Sequence, residues 1–197
     1  MNDRMPWMFG STSENFCRVY NNILSDEKCD YFVNKFEAHK ELQEVQNNSK
    51  GKTLTMMNLM NSKDTPFRED LNFIGDTLME SVELYKKDVN LKSFQFPDKF
   101  GVEAFKIKRY LSDTTDEFPP HIDVSNYKNA RRFLVMFLYL TDNEGGETEV
   151  NFGGSVFVSH CRKGSVLLFP PMWPWVHEGK APINGSKYIM GSYLHYV

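Results

Sequence analysis

Residues 131–141 read RRFLVMFLYLT, and this stretch decides the fold. Every residue from 133 to 140 is apolar or aromatic, so a strand here would bury both of its alternating faces. Such a strand belongs in the centre of a sheet, with one face toward a cavity or second sheet and the other under a covering layer. The stretch therefore predicts a layered, mainly β domain.

Further short apolar segments follow residue 94 and alternate with clusters of Gly, Pro, Asp and Asn. They are rich in Val, Phe, Tyr and Leu, which is the pattern of a series of strands. These segments are AFKIKRYL, RRFLVMFLYLT, SVFVSH, GSVLLF and KYIMGSYLHYV. The C-terminal half, about residues 94–197, is thus predicted to form a β-rich core.

Two helices are predicted before these strands. Ser25 suits an N-cap, and apolar residues then recur at steps of three and four over residues 26–40. Thr65 and Pro66 would open a second helix over residues 66–89. The polar run QEVQNNSKGK, residues 43–52, is predicted to be a surface loop.

The length of 197 residues favours a single domain, with about residues 1–93 as helical support for the β-rich core. Hydrophobic residues make up 41% and aromatic residues 14%, as in a packed globular protein. The net charge of -3 gives no positive field for nucleic acid or an anionic membrane, so neither is an expected partner.

The cysteines and the N-terminal sequence indicate an intracellular protein. Cys17, Cys29 and Cys161 are widely spaced and include no CxxC, which argues against a disulfide framework or a thiolate zinc site. No segment reaches the ~18 consecutive apolar residues of a membrane span, and the N-terminal stretch lacks the pattern of a signal peptide. The predicted location is cytoplasmic.

Residues 121–124, HIDV, hold a histidine and an aspartate two positions apart. If the segment is extended, His121 and Asp123 project to the same face, where one metal ion could meet both. A third ligand must come from another strand. His177 is the best placed, because it follows the rigid stretch PPMWPWV where a strand would leave a sheet for a turn. The other candidates are His39, His160 and His195.

A basic residue, Lys187, lies ten positions after His177. The order His-x-Asp, distal His and then a basic residue resembles the Fe(II)/2-oxoglutarate-dependent dioxygenases, and within that superfamily the chain is similar to the prolyl 4-hydroxylases. The resemblance covers about residues 104–196 and implies a double-stranded β-helix, a jelly roll of two sheets with the N-terminal helices packed on the larger one. The segments that carry it, in the family's order, are KIKRYL, PPHIDV, RRFLVMFLYLTDNEGGET, RKGSVLLF and HEGKAPINGSKY.

The resemblance implies that His121, Asp123 and His177 bind Fe(II). Two imidazoles and one carboxylate on one face of a metal suit non-haem iron and leave positions open. The family's 2-oxoglutarate and O2 would take those positions, with ascorbate as an accessory reductant. Oxidative decarboxylation of 2-oxoglutarate would then yield succinate and CO2 and hydroxylate a C–H bond.

The resemblance also implies a cosubstrate pocket. Lys187 would bind the far carboxylate of 2-oxoglutarate through a charge-assisted bond. Tyr139 matches a family position whose hydroxyl joins that lysine, and Tyr110 matches a tyrosine that faces cosubstrate and substrate. Strand alternation would place Gly191 on the same face as Lys187, where its missing side chain would leave room for 2-oxoglutarate.

The expected substrate is a prolyl residue of a peptide or protein, and the sequence does not indicate an oligomeric state. Two alternatives stay open: a non-catalytic jelly-roll metal-binding module, and a hydrolase that uses zinc on the same three ligands. A zinc hydrolase has no need of a cation ten residues beyond its last ligand, so Lys187 favours the dioxygenase.

The chain departs from the family before its first metal histidine. Phe118 stands where the family often has a tyrosine, which puts substrate or cosubstrate contacts on that side in doubt. The preceding loop carries Asp113, Asp116 and Glu117. An acidic loop at the mouth of the site would favour a substrate with cationic residues near its target.

Overall fold

The protein was analysed as a computed structural model that describes residues 16–47, 51, 53–61, 65–112 and 116–197. These residues contain helices α1 (Asp26–Ala38) and α2 (Leu71–Asp88). The strands are β1 (Arg18–Tyr20), β2 (Glu44–Asn47), β3 (Thr53–Asn58), β4 (Phe100–Val102), β5 (Lys106–Tyr110), β6 (Phe118–His121), β7 (Arg132–Tyr139), β8 (Thr148–Phe152), β9 (Ser155–Ser159), β10 (Val166–Phe169), β11 (Val176–Gly179) and β12 (Lys187–Tyr196).

The strands form two antiparallel sheets. The larger sheet has the order β1-β10-β7-β12-β5-β3-β2, and β4 also pairs with β12. The smaller sheet has the order β6-β11-β8-β9. The mainly β class predicted from the sequence is confirmed.

Strand β7 lies in the middle of the larger sheet, between β10 and β12. Its residues Leu134, Met136 and Leu138 pack in an apolar cluster that also contains residues of both helices. Its odd-numbered residues Val135, Phe137 and Tyr139 pack in a second cluster, which includes Val150 of the smaller sheet. The central position predicted for residues 133–140 is therefore confirmed, and the second cluster lies between the two sheets.

Helix α1 begins as predicted, because the Ser25 side chain accepts a hydrogen bond from the backbone N–H of Lys28 at 3.4 Å. The ring of Phe36 lies edge-on to Tyr188 of β12, with 5.8 Å between the ring centres. Helix α2 begins at Leu71 and not at residue 66. Thr65 accepts a hydrogen bond from the N–H of Phe67 at 3.4 Å, but this closes a turn that leads into a short 3-10 helix, Arg68–Asp70.

The prediction of a loop over residues 43–52 is wrong for residues 44–47. These form β2, which pairs with β3 at the edge of the larger sheet, and all four of its residues are exposed. An edge strand can be polar on both faces because backbone pairing alone holds it, so no alternation marks it in the sequence. The N-terminal part, predicted as helical support, thus adds β1, β2 and β3 to the sheet.

None of the helices within the described residues is long and apolar enough to cross a membrane. The N-terminal stretch considered for a signal pattern falls mostly in residues 1–15, outside the described residues.

Candidate functional site

The site lies where two neighbouring strands of the smaller sheet present histidines to each other. His121 of β6 and His177 of β11 are directly paired across the antiparallel ladder. The extended segment predicted over residues 120–124 ends at His121, and Asp123 follows the strand. The backbone N–H of Asp123 donates to the carbonyl of Pro171 at 2.9 Å, which holds the carboxylate beside the two rings.

The three predicted metal ligands come together as expected. Nε2 of His121 lies 3.4 Å from Oδ1 of Asp123, and Nε2 of His177 lies 3.2 Å from Oδ2. One candidate ligand atom from each residue lies within 4.8 Å of the other two. Such spacing lets a single ion meet all three residues from one side.

Backbone carbonyls orient both imidazole rings. Nδ1 of His121 lies 2.8 Å from the carbonyl of Pro119, and Nδ1 of His177 lies 3.2 Å from the carbonyl of Trp175. A carbonyl only accepts, so Nδ1 carries the proton in each ring and the Nε2 lone pair is left for the cluster. This second hydrogen bond is the usual way in which a metal-binding histidine is held in place.

The donor set fits a divalent metal ion. Oδ2 of Asp123 and Nε2 of His177 are buried, and neither has a hydrogen-bond partner among the described residues. Buried polar atoms normally have a partner, so we expect these two atoms to bind a ligand. Burial alone would raise the pKa of Asp123, but the two neighbouring imidazoles outweigh it and hold that pKa below its ordinary value. The carboxylate is therefore ionised, as a metal ligand must be.

The remaining histidines take no part in this cluster. Nδ1 of His39 lies 2.8 Å from the carbonyl of Lys35 at the end of α1. His160, another candidate ligand, is exposed and lies 3.7 Å from Glu147. His195 lies against Gly101, where an added Cβ would come within 2.4 Å of its ring.

A pocket opens beside the cluster and ends at Lys187. We call it the inner pocket; it encloses about 340 Å³ of free space including its mouth. Lys187 is only 1% exposed, and burial lowers its pKa. A buried ammonium is costly unless it is paired with an anion. The residues that line the inner pocket are Lys108, Tyr110, Phe118, His121, Asp123, Phe137, Thr148, His177, Glu178, Gly179, Lys187 and Ile189.

The turn around Gly146 holds Lys187 in place. Nζ of Lys187 donates to the carbonyl of Gly146 at 2.5 Å. Gly146 has a φ of +71°, and a Cβ at this position would lie 3.1 Å from Cδ of the lysine. The segment GGET, residues 145–148, thus fixes the direction of the lysine and supplies Thr148 to the pocket wall.

The two predicted tyrosines occupy different places. Tyr110 lines the inner pocket and pairs with Lys187 across β5 and β12, and Nζ of the lysine lies 5.1 Å from the centre of its ring. Tyr139 is buried behind the pocket, and its hydroxyl lies 2.9 Å from both Thr148 Oγ1 and Ser159 Oγ. Its predicted bond to Lys187 is replaced by these two, so Tyr139 reaches the pocket through Thr148.

A second compartment, which we call the outer groove, adjoins the inner pocket, and Asp123 lines both. It encloses about 660 Å³ including its mouth. Gly191 lines this groove and not the inner pocket, and a Cβ here would lie 2.7 Å from the ring of Phe137. The space predicted for 2-oxoglutarate at Gly191 is thus occupied by Phe137. The groove is lined by Gln46, Met56, Glu103, Ala104, Lys106, Lys108, Phe118, Asp123, Arg132, Phe137, Ile189, Gly191 and Tyr193.

Sequence reasoning missed Lys108 and Thr148. The signal for Lys108 was present in KIKRYL, because alternation puts Lys106 and Lys108 on the same face as Tyr110. Phe118, singled out as a departure, does line the site, with its ring centre 4.2 Å from that of His121.

Comparison with known proteins gives a consistent result. Residues 105–195 match the family model of the 2OG-Fe(II) oxygenase superfamily. A probable prolyl 4-hydroxylase 3 from Arabidopsis thaliana is 27% identical over 211 residues, which cover 90% of this chain and 68% of that protein. A probable prolyl 4-hydroxylase 10 from the same plant is 25% identical over 206 residues, which cover 89% of this chain and 67% of that protein.

Two solved structures share the fold. The 2OG complex of a viral collagen prolyl hydroxylase from Paramecium Bursaria Chlorella virus-1 has a TM-score of 0.67 at 18% identity, covering 95% of this chain and 99% of that one. A Trichoplax adhaerens prolyl hydroxylase in complex with a hypoxia inducible factor peptide fragment has a TM-score of 0.72 at 13% identity, covering 92% and 84%. Over residues 105–195, a little under half of the chain, the protein is similar to the 2OG-Fe(II) oxygenase superfamily, and its relatives and shared fold make it prolyl 4-hydroxylase-like, with His121, Asp123 and His177 as candidate metal ligands.

Proposed function

We propose that the protein is an Fe(II)- and 2-oxoglutarate-dependent dioxygenase that hydroxylates a prolyl residue of a peptide or protein. In this reaction one oxygen atom of O2 enters the new hydroxyl group and the other enters succinate, while the first carbon of 2-oxoglutarate leaves as CO2. Fe(II), 2-oxoglutarate and O2 would supply the oxidising chemistry. The relatives named as prolyl 4-hydroxylases support the choice of substrate.

The observation that carries this proposal is the buried, chargeable Lys187 at the end of a pocket that begins at the metal ligands. His121, Asp123 and His177 would hold the metal through Nε2 and carboxylate oxygen atoms. Lys187 would bind the far carboxylate of 2-oxoglutarate, which fixes the direction of the cosubstrate along the pocket. Tyr110 and Thr148 would close the walls around it.

A zinc hydrolase would use the same three ligands but gives no reason for this lysine. An ammonium that is 1% exposed, with a single backbone carbonyl as its described hydrogen-bond partner, is a costly feature for a reaction that involves no second anion. The same argument separates an enzyme from a metal-binding module, since such a module needs neither the lysine nor the pocket.

We also propose the overall architecture, the domain organisation, the accessory reductant and the location of the enzyme. The two sheets form a double-stranded β-helix whose larger sheet is braced by α1 and α2. The chain of residues 1–197 acts as one dioxygenase domain. Ascorbate serves as an accessory reductant, and the protein works in the cytoplasm.

The test is succinate release from 2-oxoglutarate by the purified protein with added Fe(II) under air. We expect release to require all three additions and to be lost in Asp123→Ala. The matched control is Asp98→Ala, which removes an exposed carboxylate that lines neither compartment. Equal release by wild type and Asp123→Ala would contradict the proposal.

A further inference from the structure

Strand β5 carries a row of residues that passes from the inner pocket to the outer groove. Its inward-facing side chains pair with β12 in register: Tyr110 with Lys187, Lys108 with Ile189, and Lys106 with Gly191. Successive pairs are about 7 Å apart, because a strand rises ~3.4 Å per residue. Lys108 lines both compartments, so its ammonium lies at their junction.

Lys108 is a cation in apolar surroundings. Its Nζ lies 5.3 Å from the ring centre of Phe118 and 5.7 Å from that of Phe137. Its neighbours across the sheet are Met56 and Ile189. In the part of the chain that the structure describes, no hydrogen bond or ion pair to its side chain is found. Burial lowers its pKa to about 8, so it is still charged at neutral pH.

The other charges of the outer groove do not neutralise Lys108. Arg132 is satisfied by Glu103, with two N–O distances of 2.7 Å, and it also lies 3.9 Å over the ring of Tyr193. Asp123 is committed to the metal. Lys106 adds a further positive charge at the outer end of the row.

A count of charges shows what is missing. With iron and cosubstrate bound, the two carboxylates of 2-oxoglutarate and that of Asp123 balance the charges of Fe(II) and Lys187. Lys108 then remains uncompensated between aromatic rings, where an unpaired charge is costly. One more anion is needed, and the open side of Lys108 is the outer groove.

Asp116, the buried member of the acidic loop, does not supply that anion. Asp116 is only 4% exposed, and its Oδ2 accepts a hydrogen bond from the N–H of Leu111 at 3.0 Å, so it closes the turn after β5. Asp113 lies outside the described residues. The described surface that faces the site from β5 is cationic, which is the reverse of the charge that the loop sequence suggested.

We propose that Lys108, assisted by Lys106, binds a carboxylate of the substrate, so that the enzyme selects a target next to an acidic group. This inference rests on the proposed function and narrows its substrate class. The carboxylate has two chemical sources, an Asp or Glu side chain near the target residue or the free C-terminal carboxylate of a short substrate. Either would form a charge-assisted bond with the ammonium at the junction of the two compartments.

Binding can be measured without turnover. The full chain is loaded with Zn(II) and 2-oxoglutarate, and ligand-observed NMR gives the affinity of acetylated Gly-Pro-X-Gly amides with X as Glu, Gln or Lys. A fourth peptide, acetyl-Gly-Pro-Gln with a free C-terminal carboxylate, tests the second source. We expect at least fivefold tighter binding of the Glu or the free-carboxylate peptide than of the neutral Gln amide, and the weakest binding of the Lys peptide.

Three variants locate the selecting group. Lys108→Met removes the charge while keeping the length of an apolar side chain, and it should abolish the preference. Lys108→Arg keeps the charge and should retain most of it. Lys86→Met removes a lysine of α2 that is paired with Glu83 and lines neither compartment, so it should change nothing.

Three results would contradict binding of a substrate carboxylate by Lys108. Equal affinity for Glu, Gln, Lys and free-carboxylate peptides in the wild type, or a preference that survives in Lys108→Met, would overturn it. So would a loss of 2-oxoglutarate affinity in Lys108→Met measured without peptide, since Lys108 would then serve the cosubstrate. Succinate release by the iron-loaded protein is scored separately. If release is absent but the charge preference is present, the proposed function fails and the anion site stands.

Discussion

The inner pocket and the outer groove adjoin each other, since Lys108 and Asp123 line both, and they differ in how their cations are held. In the inner pocket, Lys187 is fully enclosed and its ammonium is held by the carbonyl of Gly146. In the outer groove, Lys108 lies between aromatic rings, and no hydrogen-bond acceptor for its ammonium is found among the described residues. The first arrangement is preorganised for one small ligand of fixed shape, whereas the second leaves room for a larger and variable one.

Binding of the metal and turnover should both depend on the cluster of His121, Asp123 and His177. Asp123→Ala removes the carboxylate from the candidate cluster of described residues and should reduce succinate release to background, because two neutral imidazoles bind a divalent ion weakly. Metal binding should fall in parallel, which can be followed by the visible absorption of the Co(II)-loaded protein. Asp98→Ala is the control. Retention of full metal affinity in Asp123→Ala would mean that another carboxylate holds the ion.

Lys187 should act on the cosubstrate alone. Lys187→Met keeps the volume and removes the charge, so the far carboxylate of 2-oxoglutarate would be buried without a partner. Loss of one member of a buried pair costs about 3–5 kcal/mol, which corresponds to ~100-fold or more in the KM for 2-oxoglutarate. The Fe(II) requirement should change little. An equal rise in both requirements would show that the lysine supports the metal site and not the cosubstrate.

The strands and the three candidate ligands could be predicted because each carries a recognisable sequence pattern. The run at residues 133–140 shows burial on both faces, and His-x-Asp with a distal histidine has few other uses in this order of segments. The outcome at β2 shows the limit: three polar residues and Val45, all exposed, pair at a sheet edge, and nothing in their own sequence requires it. The role of Lys108 was also hidden, since the fate of a charge on an inward face depends on partners from other strands.

Two predictions about individual side chains were limited in the same way. Gly191 was correctly placed on the face of Lys187, but its missing side chain makes room for Phe137, which comes from the neighbouring strand β7. Tyr139 was placed on the correct strand, but its hydroxyl forms hydrogen bonds with Thr148 and Ser159 of the smaller sheet and not with Lys187. Alternation along one strand gives the face on which a side chain lies, whereas its contacts with side chains of other strands depend on how those strands pair and pack.

Tyr139 offers a test of where the inner pocket ends. Because its hydroxyl reaches the pocket only through Thr148, Tyr139→Phe should lower the free energy of unfolding by about 1–2 kcal/mol and raise the KM for 2-oxoglutarate only a few fold. Thr148→Val, which changes the wall itself, should raise that KM more. Denaturant unfolding and succinate kinetics on both variants give the comparison. A KM effect of Tyr139→Phe as large as that of Lys187→Met would place Tyr139 in direct contact with the cosubstrate.

The last effect concerns the pH dependence of stability, and it depends on Lys108. Its pKa falls from the usual 10.5 to about 8 in the folded protein, chiefly through burial, with Lys106, Lys187 and Arg132 adding repulsion and Asp123 opposing it. The unfolded chain therefore binds the proton more tightly than the folded one between pH 8 and 10.5. In this window the stability of the wild type rises with pH relative to a chain without the lysine.

Lys108→Met should consequently be more stable than the wild type at pH 7 by about 1–2 kcal/mol, a value reduced from the full pKa difference because the side chain is only partly buried. The advantage should be largest below pH 8 and should shrink as the pH approaches 10.5, where the wild-type lysine is neutral in both states. Denaturant unfolding of both proteins across this range measures it, and other groups titrate equally in the pair. A variant less stable than the wild type at pH 7 would show that Lys108 already has an anionic partner within the chain, and the contrast between pocket and groove would not hold.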